Sequence, residues 1–116
     1  MKLTDLAPQW MRYEKRDDGH TYFVPVEAIS EAQGIKFLCP KCFAEKGTAS
    51  GVHSVICWSR SRGAPEDARP GPGRWALDGT NFEDLTLNAD PPGTKRSVLL
   101  IGGCEWHGFI TNGEAA

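Results

Sequence analysis

The 116-residue sequence predicts a small, mainly β fold of the α+β kind, with antiparallel strands and one short helix in its N-terminal half. Three observations lead there. Thirteen Gly and eight Pro make the chain rich in turns and leave little room for long helices. Apolar and β-branched residues come in short runs bounded by Gly, Asp, Asn or Pro. Only one segment carries its apolar residues at helical spacing. With 40% hydrophobic residues the chain has material for one modest core, so residues 1–116 are expected to form a single domain.

Taken in order, Leu3 to Tyr13 carries Leu3, Leu6, Trp10, Met11 and Tyr13, and Pro8 interrupts any regular helix there. Glu14-Lys15-Arg16-Asp17-Asp18-Gly19 ends in an Asp-Gly pair and reads as a turn between two extended pieces, the second being Thr21-Tyr22-Phe23-Val24. From Val26 to Gln33, Val26, Ile29 and Ala32 recur at helical spacing, Pro25 suits a first turn and Gly34 stands where a left-handed cap would end the helix. Ile35-Lys36-Phe37-Leu38 and Val52 to Trp58 are strands, the latter β-branched and aromatic enough to be central. Ser59 to Gly73 is a loop. Short strands follow at 74–77, 85–87, 97–101 and 108–111.

A core of this size gains from reinforcement, and four Cys are available for it. The start of the chain has no basic stretch followed by an apolar run, and no segment has the length of a membrane span, so a cytoplasmic, reducing location is expected. In such a compartment cysteines bind metal or react more often than they form disulfides. A formal net charge of −2 argues against a global affinity for nucleic acid.

The strongest chemical signal is a pair of short motifs. Cys39-Pro40-Lys41-Cys42 follows a predicted strand, and Cys104-Glu105-Trp106-His107 lies between two. Two-residue spacing lets both side chains of a tight turn point at one centre, and a zinc ion takes four such sulfur and nitrogen ligands tetrahedrally. Cys39, Cys42, Cys104 and His107 are therefore the expected ligands of one Zn2+. Sixty-one residues separate the two halves, and closing so long a loop costs only slowly growing entropy. Pairing of strands around Phe37 and Phe109 would bring them together, with metal binding and folding as one event. His53 and Cys57 are alternatives, because alternate strand positions share a face and either could replace one of the four.

Other chemistries find less support. A thioredoxin-like redox pair wants its Cys-x-x-Cys opening a helix in an α/β frame, whereas here a loop is expected after it. Catalysis by zinc wants an open position and a carboxylate base; Glu105 is the nearest in sequence, but it adjoins a ligand in a tight turn, and neither His-x-Glu nor His-Glu-x-x-His occurs. Arg60, Arg62, Arg69 and Arg74, flanked by Trp58 and Trp75, have the composition of a single-strand or RNA surface, although loop arginines are ordinarily just solvated.

The order of features also resembles a phage- and prophage-associated family of small zinc-binding proteins without an assigned function. The matching pieces are Leu6-Ala7-Pro8-Gln9-Trp10, Phe37-Leu38-Cys39-Pro40-Lys41-Cys42, the strand with His53, and Trp75-Ala76-Leu77 before Asp84 to Leu87. The last, Cys104-Glu105-Trp106-His107-Gly108-Phe109-Ile110-Thr111-Asn112-Gly113-Glu114, is the most specific. Together they cover most of the chain, which departs from the pattern at 44–51, at 59–73 and around Pro91-Pro92-Gly93. The resemblance implies metal-ligand roles for Cys104 and His107 and a viral or prophage context. The expected function is an accessory or binding module acting on a host or viral protein partner, with a small zinc hydrolase and a nucleic-acid-binding zinc module as the alternatives.

Overall fold

The computed structural model describes residues 1–101 and 103–116 and is mainly β, as expected. Its largest unit is an antiparallel sheet of β1 (Gln9–Lys15), β2 (Thr21–Val26), β3 (Gly34–Leu38) and β4 (Ser54–Trp58), in the order β2-β1-β3-β4. The Asp-Gly turn forms where the sequence placed it: the Gly19 amide donates to the Arg16 carbonyl at 3.0 Å, and Gly19 takes the left-handed φ of +79° that suits glycine. Smaller antiparallel pairs follow. They are β5 (Trp75–Asp78) with β6 (Thr86–Ala89), β7 (Val98–Leu99) with β8 (His107–Gly108), and β9 (Ile110–Thr111) with β10 (Glu114–Ala115).

The helix is not where helical spacing pointed. Val26 ends β2, Ile29–Glu31 is a single 3-10 turn, and Gly34 opens β3 instead of capping a helix. Eight residues give too few turns to offset the cost of nucleation unless packing helps, and Pro25 sits in extended backbone opposite Met11. The only α-helix among the described residues is α1 (Pro40–Lys46), with Pro40 at its first position and Gly47 (φ +69°) closing it through a hydrogen bond to the Phe43 carbonyl.

Two faces of the sheet bury different partners. Trp10, Ile35, Phe37, Val55 and Cys57 share one face and pack with Leu3, Leu6, Leu87, Val98 and Ile110 in the main core. Met11, Gly34 and Trp58 are cross-strand neighbours on the other. There Gly34 is required, because a Cβ would lie 2.6 Å from the Trp58 ring and 2.7 Å from the Cys57 carbonyl oxygen. Ala64 and Ala68 of the 59–73 loop cover Trp58, whose indole N–H donates to the Arg69 carbonyl at 2.8 Å.

Arginines pin that loop in place. The Arg74 guanidinium donates to the carbonyls of Pro65, Ala68 and Pro70, and Arg62 to that of Ile29. The strand pairing expected between Phe37 and Phe109 does not occur. Phe37 pairs with Val55, while Phe109 exchanges both backbone hydrogen bonds with Ala116. What joins the two regions instead is side-chain packing, with the Trp106 ring set edge-on to Phe37 at 6.2 Å.

Candidate metal centre

The β3–β4 hairpin builds the first three positions of the site. Cys39 directly follows β3, is fully buried and stands at the N-cap of α1, and Cys42 lies three residues on, on the same face of the first helical turn. The ladder continues one pair beyond β4, for the Cys39 amide donates to the His53 carbonyl at 2.9 Å. Residues directly opposite in an antiparallel pair put their side chains on one face, so this register sets the His53 imidazole beside the Cys39 thiol.

The fourth donor comes from the β7–β8 loop. The Leu100 amide bonds the Trp106 carbonyl at 2.9 Å to close that loop, and Lys41 donates to the Cys104 carbonyl at 2.9 Å to hold it against α1. The Cys104 sulfur then lies 3.5 Å from the Cys39 sulfur and 3.3 Å from His53 Nε2. One donor atom each from Cys39, Cys42, His53 and Cys104 falls within 4.8 Å of the others. All four cysteines of the chain are free thiols.

Of the four residues the sequence nominated, the structure brings Cys39, Cys42 and Cys104 together and leaves His107 outside. Side chains alternate along a strand, and Trp106 takes the inward position against Phe37, so His107 is exposed in β8, its ring 6.5 Å from that of Phe109. His53 stands where His107 was expected. The other alternative, Cys57, is fully buried in the main core opposite Ile35, where burial alone pushes its thiol pKa up.

The thiols of the cluster titrate unequally. Burial raises the Cys104 pKa, but hydrogen bonds from the Trp106 amide, from His53 and from the Cys39 and Cys42 thiols outweigh it and bring the group down to about 7. Cys42 moves the opposite way, to about 11, through burial and its hydrogen bonds to Cys104 and Cys39. In the metal-free protein Cys104 thus gives up its proton before Cys42 does.

The donor set fits one tetrahedral ion. Ligand bonds of about 2.3 Å to sulfur and 2.0–2.1 Å to nitrogen put neighbouring donors roughly 3.5–3.8 Å apart; the Cys39–Cys104 contact of 3.5 Å meets that spacing, the His53–Cys104 contact of 3.3 Å is slightly shorter, and all four donors lie within 4.8 Å of one another. The Cys-x-x-Cys does open a helix, contrary to the loop expected after Cys42, which is one feature of a redox pair. Its frame is nonetheless antiparallel β, and a third thiol and an imidazole close around it.

Comparison with family models, curated proteins and solved structures finds no match to the chain. Among the described residues no helix is long and apolar enough to cross a membrane.

Proposed function

We propose that the protein is a binding module fastened by one zinc ion held by Cys39, Cys42, His53 and Cys104, and that it acts through contact with a protein partner. The observation that carries this reading is the convergence of three thiols and one imidazole within 4.8 Å from three separate parts of the chain. Soft sulfur donors with one nitrogen select zinc among the common divalent ions, and four protein ligands complete a structural site. No carboxylate belongs to the donor cluster, which favours a fastening role over a hydrolytic one. The resemblance to phage and prophage zinc-binding proteins adds a viral setting and a host or viral protein as the partner.

Nucleic acid is the weaker candidate. Trp58 and Trp75 are buried and give no stacking surface, and the guanidinium groups of Arg62 and Arg74 are occupied by backbone carbonyls. Cobalt substitution tests the reading. The Co2+ protein should show the intense visible bands of a tetrahedral sulfur-rich site, unchanged by added azide or cyanide and unchanged in Glu105→Gln. A spectrum that shifts on adding either anion would reveal an open coordination position and favour the hydrolase instead.

A further inference from the structure

The outer edge of β4 is an unpaired strand edge lying in a groove. Hydrogen bonds from the Ser59 amide to Gln33 and from the Cys39 amide to His53 flank the β3–β4 ladder and fix its phase. Bonded and non-bonded pairs alternate in an antiparallel ladder, so Val55 and Cys57 bond to β3 while the N–H and C=O of Ser54, Ile56 and Trp58 point away from it. No strand lies beyond β4 in the sheet, and none of those six groups has a partner among the described residues; Trp58 is fully buried, so the stretch of edge open to a partner is Ser54 to Ile56.

A groove of about 1060 Å³ runs there. Its lining includes Ile56 and Ala64 from one face of the sheet and Val55, Trp75 and Val98 from the other, which places it along the edge itself. One end is marked by His53 and Cys104 of the metal centre and the other by Arg60, just past the strand. Leu99 and Ile101 extend the apolar wall outward at 57% and 90% exposure, a display of large apolar side chains that water does not favour. Arg60 and Lys95 also line the groove, and neither side chain has a hydrogen-bond or ion-pair partner among the described residues; the carboxylate of Asp90, by contrast, is taken up by Ser59 and Ser61.

We infer that this groove takes an extended peptide segment of a protein partner, which adds as a strand to the edge of β4, sets apolar side chains against Leu99 and Ile101, and places an acidic side chain on Arg60 and Lys95. Main-chain bonds supply affinity in such strand addition, and alternate side chains and the cations supply selectivity. The open stretch from Ser54 to Ile56, three residues at about 3.3 Å each, gives roughly 10 Å of edge, which pairs with about that many residues of a longer segment. The inference rests on the reading of the chain as a module that acts through a protein partner, and its test is separate from the cobalt experiment, which probes the metal alone.

The probe is a fluorescent peptide of ~8 residues, alternating valine and threonine and ending in two aspartates, titrated into the zinc-loaded protein by fluorescence anisotropy. Two further probes carry N-methyl groups at alternate residues or lysines in place of the aspartates. The first peptide should bind, and the N-methylated one should bind about tenfold more weakly or worse. Ile56→Pro, which takes away an outward N–H and no hydrogen bond of the β3–β4 ladder, although it also trims the Ile56 packing, should cause a similar loss while retaining zinc and the far-UV spectrum. Should that variant fail to fold, the exposed double change Arg60→Glu/Lys95→Glu decides: it should reverse the preference to the lysine peptide. Binding that is absent in the wild type, indifferent to N-methylation, or unchanged by the charge reversal would overturn the inference. So would displacement of the peptide by a short oligothymidine, which would assign the groove to single-stranded nucleic acid.

Discussion

The two halves of the molecule are held by different means. From Gln9 to Trp58 four strands form unbroken ladders of up to six pairs, and their own backbone bonds and two buried faces keep them in register. From Val98 to Ala115 the strands are two residues long, and a pair so short has almost no stability of its own. That region is secured at its two ends instead. Cys104 joins the cysteines and histidine of the β3–β4 hairpin, and the first residues of the chain clasp the last: the Leu3 amide bonds the Gly113 carbonyl at 2.8 Å, and the Ala115 amide bonds that of Met1 at 2.8 Å. A local ladder thus supports one half, while long-range fastenings support the other, and the Cys39–Cys42–His53–Cys104 cluster is where they meet.

The contrast is broken most severely by taking the metal away. At free zinc about 1,000 times the dissociation constant, the ion would contribute ~4 kcal/mol to folding. Chelation should lower the thermal midpoint accordingly, with amides of β7 and β8 losing hydrogen-exchange protection before those of β1, β3 and β4. Loss of protection in both halves together would show that the sheet, too, depends on the ion.

Gly34→Ala strikes the other half. Its Cβ would meet the Trp58 ring and the Cys57 carbonyl, so a cost of roughly 1–3 kcal/mol is expected from overpacking. Zinc affinity of the folded variant should stay within a few-fold of wild type, as measured by competition with a chromophoric chelator. A larger fall in affinity would mean that strain in the sheet reaches the hairpin that carries Cys39 and His53.

The smallest effect concerns pH in the metal-free protein. Cys104 is depressed from an ordinary value of 9.0 to about 7 on folding. Its contribution to stability is complete above pH 9 and is lost as pH falls through 7, because the unfolded state then binds the proton more readily. Thiolate absorbance should show a step near pH 7 that disappears in Cys104→Ser. Zinc affinity should weaken over the same range, since protons compete for the ligands.

Much of the sheet was legible from alternation and turn chemistry: the Asp-Gly hairpin and the strands around Phe37, Val55 and Trp75 form close to where the pattern put them, whereas 97–101 shortens to Val98–Leu99, 108–111 divides between β8 and β9, and β10 was not foreseen. The helix was not, because the spacing of Val26, Ile29 and Ala32 outweighed a better pair of signals, Pro40 at a first turn and Gly47 past a last one. In the metal cluster, three residues followed from Cys-x-x spacing. The fourth depended on a register, since only the pairing of Cys39 with His53 across the hairpin reveals that these residues share a face. His107 stands outside the cluster for a related reason. Its spacing from Cys104 resembles a ligand turn, but Trp106, one residue before β8, turns inward and leaves its neighbour out in solvent.

Metal content by elemental mass spectrometry, on protein purified without added metal, tests the central claim most directly through the two histidines. One zinc per chain is expected in the wild type and in His107→Ala, with His53→Ala losing the metal or binding it far more weakly. Zinc retained in His53→Ala and lost in His107→Ala would contradict the account and return the fourth ligand to the Cys-x-x-His motif.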